Sequence, residues 1–238
     1  MSSLIPAHAS NHVISGVTEY LTTSFSLADT AAAAELSDFL GAPGKGMFRG
    51  PYVRTRLPYA PANDTGKILD WSPAWFTPYH HQAVAFRRLK SVDDAGHPRR
   101  PDPTLVVTGT GSGKTESFLY PILDHVIRER ATGRTGTKAL ILYPMNALAN
   151  DQANRLAELI AGPDADPSLS TVTAGIYTGE TREGGVVRVT EKSLITSQET
   201  IRKNPPDILL TNYKMLDQLL LRSADAGIWK QSAESLQY

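Results

Sequence analysis

Cysteine is missing from all 238 residues. That excludes disulfides and thiolate metal sites. Charge of one sign is missing too: 24 Lys and Arg face 24 Asp and Glu, a formal net charge of zero. No global basic field therefore draws the chain to a polyanion, although a local basic groove stays open to it. No apolar run is long enough to span a bilayer, and "MSSLIPAHASNHV" lacks the pattern of a signal peptide. The default compartment is the cytoplasm, with no membrane partner. The six histidines, at 8, 12, 80, 81, 97 and 125, show no metal-ligand spacing with carboxylates. One more lack matters below: no Asp is followed directly by Glu.

What is present suits a soluble α/β protein. Hydrophobic residues make up 41% and charged residues 20%, ordinary values for a globular chain. Two organisational segments are expected. Residues 1–74 read as a leader: "HVISGVTEYLTTSF" and "LADTAAAAELSDFLG" carry helical periodicity, with Gly41 as C-cap, and a Gly/Pro-rich stretch follows. Residues 75–238 alternate helices with the apolar runs "TLVVT", "ALILYP", "TVTAGIYTG" and "DILLT". That alternation predicts four strands of a parallel sheet flanked by helices. Pro121 should bend or weaken its helix. Met215, Leu216, Leu219 and Leu220 should pack on the sheet.

The chemistry concentrates in "TGTGSGKT", Thr108 to Thr115, between an apolar run and a helix. That context marks a phosphate-binding loop. Gly109, Gly111 and Gly113 allow a tight turn that aims backbone N–H groups inward, and the helix adds its positive end. Lys114 would meet the β- and γ-phosphates, and Thr115 would offer its hydroxyl to Mg²⁺. The general pattern begins with Gly where this chain has Thr108.

With Thr in first place, "TGTGSGKT" resembles motif I of superfamily 2 helicases. Four more stretches fit that family in order. "FTPYHHQ" is similar to the adenine-reading Q motif, which implies that Gln82 reads the adenine edge with Phe76 or Tyr79 beside the ring. The loop itself, Thr108, Gly109, Thr110, Gly111, Ser112, Gly113, Lys114, Thr115 and Glu116, would hold the nucleotide. "YPMNALANDQ" resembles motif Ia, with Pro144 ending a strand and Asn146 capping a helix; "YTGET" resembles the following Gly motif, with Thr178 and Gly179; "DILLTNYKML" resembles motif Ib, with Thr211 and Asn212. By that resemblance these residues contact a nucleic-acid backbone, DNA before RNA. The implied fold is the RecA-like parallel sheet of a P-loop NTPase, and the implied cofactors are ATP and Mg²⁺. The finer likeness is to large bacterial DEAD/DEAH-box helicases of DNA repair or phage defence.

Such motors also use a D-E-x-H or D-E-x-D acid pair and a second motor domain. With no Asp-Glu here, the expectation is the front portion of a longer motor, incomplete at its C-terminal end, binding ATP without efficient turnover. Asp93, in the polar loop "VDDAGH", reads as a solvated loop residue rather than a substitute acid. Two alternatives stay open: the motor portion of a restriction-type translocase, and a non-catalytic fragment that binds ATP or nucleic acid.

Overall fold

The computed structural model describes residues 6–42, 44–49, 58–63, 66–179 and 185–238. The chain divides into two compact units, 1–58 and 59–238. Residues 50–57 of the Gly/Pro-rich stretch and the Glu180–Thr181 end of "YTGET" lie outside the described residues.

The first unit holds two helices, α1 (Pro6–Ser24) and α2 (Thr30–Gly41). Asp29 starts α2 by accepting the amides of Ala31 and Ala32 at 2.8 and 3.1 Å, which satisfies two of the free donors at a helix start. Gly41 is not the cap. It is the last helical residue, and Ala42 caps in extended backbone. The left-handed glycine sits later, at Gly44 with φ +72°. No residue of α2 is buried.

The second unit runs α3 (His80–Leu89), α4 (Lys114–Ala131), β1 (Ala139–Tyr143), α5 (Asn146–Ala161), β2 (Ala174–Tyr177), α6 (Gln198–Lys203), β3 (Ile208–Asn212), α7 (Tyr213–Leu221) and α8 (Ala226–Ser232). All strand pairing is parallel, in the order β1-β3-β2. Ile208, Leu209 and Leu210 face Ala139, Leu140 and Ile141 on one side and Ala174, Gly175 and Ile176 on the other. A strand paired on both sides and covered on both faces reads as a continuous apolar run, and Ile208, Leu209, Leu210 and Thr211 are all buried. Alternation then splits the core. Ile208 and Leu210 join Leu119, Leu123, Val126, Ala149, Ala153 and Leu156 of α4 and α5, while Leu209 joins Ile201, Met215, Leu219 and Ile228 of α6, α7 and α8. Each of the leucine, isoleucine, valine and methionine side chains contributes about 1.5–3 kcal/mol by leaving water.

Asp207 fastens the amino end of the sheet. It is buried beside Lys138 Nζ at 2.8 Å and Arg130 Nη2 at 2.7 Å, and its carboxylate accepts from Thr173 N and Oγ1 at 2.8 Å. Buried charges persist only when satisfied in this way.

Two more expectations are corrected. The run "TLVVT" forms no strand: Leu105 is 87% and Val107 79% exposed. Apolar β propensity makes no strand without a ladder partner. The other edge of β1 is instead met by the last residues, where Tyr238 N donates to Lys138 O and Leu140 N donates to Tyr238 O, a parallel bridge. Pro121 lies inside α4, which runs for 18 residues. Of the four α7 residues expected to pack on the sheet, Met215 and Leu219 are buried, but Leu220 is 60% exposed.

Candidate nucleotide and nucleic-acid site

The phosphate loop leads into α4. Gly111 and Gly113 hold φ of +77° and +74°, the left-handed region that glycine enters without strain. Gly113 is constrained twice, because a Cβ there would come within 2.3 Å of Gln82 Nε2. Gly113 precedes α4 and offers no side-chain cap. The first amides of α4 therefore have no capping oxygen, the arrangement that favours an anion. Lys114 Nζ donates to the carbonyls of Thr108 and Gly109 at 3.0 and 2.8 Å. Its charge is thus held at the loop, where a phosphate oxygen could replace a carbonyl. Thr108 and Ser112 join hydroxyls across the turn, and Ser112 is fully buried. Gly109 and Thr110 are exposed, and Thr115 is half-buried in the first turn. A turn of this shape with a lysine and an uncapped helix start fits the phosphates of a nucleotide, with Thr115 beside them for a cation.

The segment before α3 braces this loop. Gln82 is only 2% exposed. Its Oε1 accepts from Tyr79 N at 2.8 Å, and its Nε2 donates to Gly113 O at 3.0 Å. The amide is partly spent on the protein, leaving one Nε2–H and one Oε1 lone pair for another partner. Tyr79 stacks on His81 at 5.8 Å and lies 5.5 Å from Tyr59. Phe76 faces the core, edge-on to Tyr120 at 4.8 Å and near Phe86 at 6.2 Å. Glu116 turns away to pair with Arg155 of α5.

Two loop partners escaped the sequence reading. His81 Nε2 donates to Ser112 O at 2.8 Å, and the Tyr59 hydroxyl donates to Thr110 O at 3.2 Å. The position of His81 next to Gln82 was the available signal for the first. Nothing in spacing announces Tyr59, 51 residues from its acceptor.

The candidate backbone contacts gather at the carboxyl ends of the strands, where parallel sheets place their ligands. Pro144 follows β1 and is exposed; Thr178 and Gly179 follow β2, half-buried and exposed. Asn212 ends β3. Its Oδ1 accepts from Met215 N at 2.7 Å, capping α7, and its Nδ2 donates to Asn146 Oδ1 at 2.7 Å. The structure therefore brings Asn146 and Asn212 together. Asn146 is the first residue of α5 rather than its cap, and Met145 before it supplies no side-chain cap. Thr211 is fully buried, its hydroxyl donating to Tyr177 O at 2.6 Å. It holds β3 to β2 and offers nothing to a ligand.

Asp93 is a turn residue. Its carboxylate accepts from Ala95 N and His97 N at 2.9 and 2.8 Å, and these hydrogen bonds, the His97 amide first, hold it below the usual carboxylate range. No group of His, Asp and Glu among the described residues could hold a metal ion. No described helix is long and apolar enough to cross a membrane.

Comparison with known proteins decides the family. A family model described as DEAD/DEAH box helicase matches residues 80–238. The chain belongs to that family. Its relatives include Druantia protein DruE of Escherichia coli, 34% identical over 142 residues, which are 55% of this chain and 7% of that protein. The Lhr helicase/probable uracil glycosylase of Mycolicibacterium smegmatis is 26% identical over 168 residues, 68% of this chain and 10% of that protein. The ATP-dependent RNA helicase ROK1 of Eremothecium gossypii is 50% identical over 54 residues, 21% of this chain and 9% of that protein. The chain thus spans a tenth or less of the length of these relatives. No solved structure matches. For this helicase-family chain the parallel sheet, the flanking helices and the loop before α4 make a RecA-like α/β fold, and the family uses ATP with Mg²⁺.

Proposed function

We propose that this chain is the ATP-gripping portion of a longer nucleic-acid-dependent ATPase, a helicase or translocase. The observation that carries the reading is the start of α4: two left-handed glycines, an uncapped helix and the Lys114 ammonium within 3.0 Å of the loop carbonyls. In this reading Lys114 and the α4 amides hold the β- and γ-phosphates, and Thr115 holds Mg²⁺. Gln82 fixes the loop while its remaining N–H and lone pair meet the adenine edge, and Tyr79 or Tyr59 lies beside the ring. Pro144, Asn146, Thr178, Gly179 and Asn212 form the rim along which a strand's phosphates pass. Contacts of that kind fix position without reading sequence.

The acid that activates water would come from outside these 238 residues, which contain no Asp-Glu. The 142- and 168-residue alignments with bacterial proteins support a bacterial motor of this family; its place in DNA repair or phage defence, acting on DNA, is part of the proposal. ROK1 is named an RNA helicase, so both nucleic acids belong in the test. The experiment is ATP turnover by the full-length protein with single-stranded DNA or RNA, beside Lys114→Ala. Stimulation by DNA and a loss of about 10²-fold or more in the variant are expected. Unaltered turnover in Lys114→Ala would refute the site. Stimulation by RNA alone would refute DNA as the track. Plating of phage on cells carrying the intact or the Lys114→Ala protein tests the defence setting, which predicts protection only by the former.

A further inference from the structure

Away from the phosphate loop, a cavity of about 530 Å³ opens between α4, α5 and the turn after α5. Its walls include Trp71, Trp75, Leu119, Tyr120, Leu159 and Leu169. Tyr120 and Leu169 are buried and make a firm floor, whereas Trp75 is 78% exposed, more than any other aromatic among the described residues. The same cavity is lined by Glu116, Glu158, Asp164 and Asp166 and by one cation, Arg155. Arg155 is paired with Glu116. That leaves three carboxylates around an apolar, indole-walled space with no described cation on any of them. Ser168 N and Oγ and the Trp71 indole N–H all donate to Asp166, which fixes its carboxylate at the mouth.

We propose that this cavity docks an arginine side chain presented by a protein partner. The walls and charges select that chemistry. A phosphate or an acidic peptide would meet three carboxylates. An apolar side chain would fill the space but strip those carboxylates of water without a partner. A guanidinium stacks flat on an exposed indole and forks onto carboxylates, while its methylenes cover apolar wall. An ammonium is more strongly hydrated and cannot stack in the same way. Exposed tryptophan and incoming arginine are also the residue types that anchor protein interfaces. The inference needs no nucleotide in the loop, so it stands or falls apart from the proposed function.

The test uses the 238-residue chain and three peptides, acetyl-Gly-Arg-Gly-amide and its lysine and citrulline counterparts. The indole N–H signals of Trp71, Trp75 and Trp229 are followed by NMR. The arginine peptide should shift Trp71 and Trp75 saturably and leave Trp229 in place. Trp75→Ala should weaken it about tenfold. The double variant Glu158→Gln, Asp164→Asn should weaken it at least as much, and the citrulline peptide should not bind. All three substituted side chains are exposed, and an unchanged Trp229 signal verifies the fold of each variant. A saturable shift that survives Trp75→Ala would overturn the proposal. So would equal binding of the lysine or citrulline peptide, or no saturable shift at all.

Discussion

Two helices of the second unit, α4 and α7, start in opposite ways. At α7 the preceding Asn212 supplies its own oxygen to Met215 N and its nitrogen to Asn146. The first turn is satisfied from within, and two loops at the strand ends are tied together. At α4 the preceding residue is Gly113, with no side chain to cap anything. Its amides face a loop held open by positive-φ glycines and by a lysine. The difference teaches what a phosphate site costs: a helix start kept unsatisfied by its own sequence and braced from outside. The braces are Gln82, His81 and Tyr59, each bonded to a carbonyl of the loop.

The sharpest way to break that contrast is to put a side chain at Gly113. Gly113→Ala adds a Cβ 2.3 Å from Gln82 Nε2 at φ +74°, and should cost about 3 kcal/mol and abolish nucleotide binding. Gly111→Ala meets nothing within 4 Å at φ +77°, so only backbone strain of about 1 kcal/mol is expected. Urea unfolding of both variants, with Gln82→Ala added to the first, separates the two causes. Partial recovery in the double variant is the expected coupling.

The far part of α4 offers a pH counterpart. Burial, with Arg128, Lys138 and Arg134 nearby, lowers the buried His125 from 6.5 to about 4. Above pH 6.5 neither the folded nor the unfolded chain carries this proton. As the pH falls from 6.5 towards 4, only the unfolded chain takes it up, so stability falls by about 3 kcal/mol over that window and this contribution levels off below it. Thermal midpoints between pH 7 and 4 check the slope. A flat profile would contradict the burial of a neutral imidazole. The smallest effect belongs to the capped helix: Asn212→Ala should cost about 1 kcal/mol and leave ATP affinity unchanged. A loss of ATP affinity there would blur the distinction between the two starts.

The turn before Lys114 was plain in the sequence, because a Gly-rich run before Lys-Thr announces its geometry locally. The sequence also carried α3, α4, α5 and α7 and three of four strands, whose periodicity reflects burial. It misled where neighbours decide. Leu105 and Val107 have the pattern of a strand, but pairing is a property of two segments, and neither side chain is covered. Thr211 looked like a ligand contact, yet its hydroxyl is spent on Tyr177 O within the sheet. Gln82 and Asn212 carry the right chemistry, and each already serves the fold. The Tyr59 and His81 braces are tertiary facts that one sequence does not contain. The boundary after Pro58 was likewise hidden, since Leu69 and Trp71 look like leader residues until their burial with the second unit is seen.

The most direct test is equilibrium binding of Mg·ATP to the 238-residue chain beside Lys114→Ala, with ATP turnover read in the same samples. The account predicts saturable binding that the substitution removes, with little or no turnover. Equal binding by both proteins would contradict the grip at Lys114. Turnover that depends on Lys114 would contradict the inference that the water-activating acid lies outside this chain.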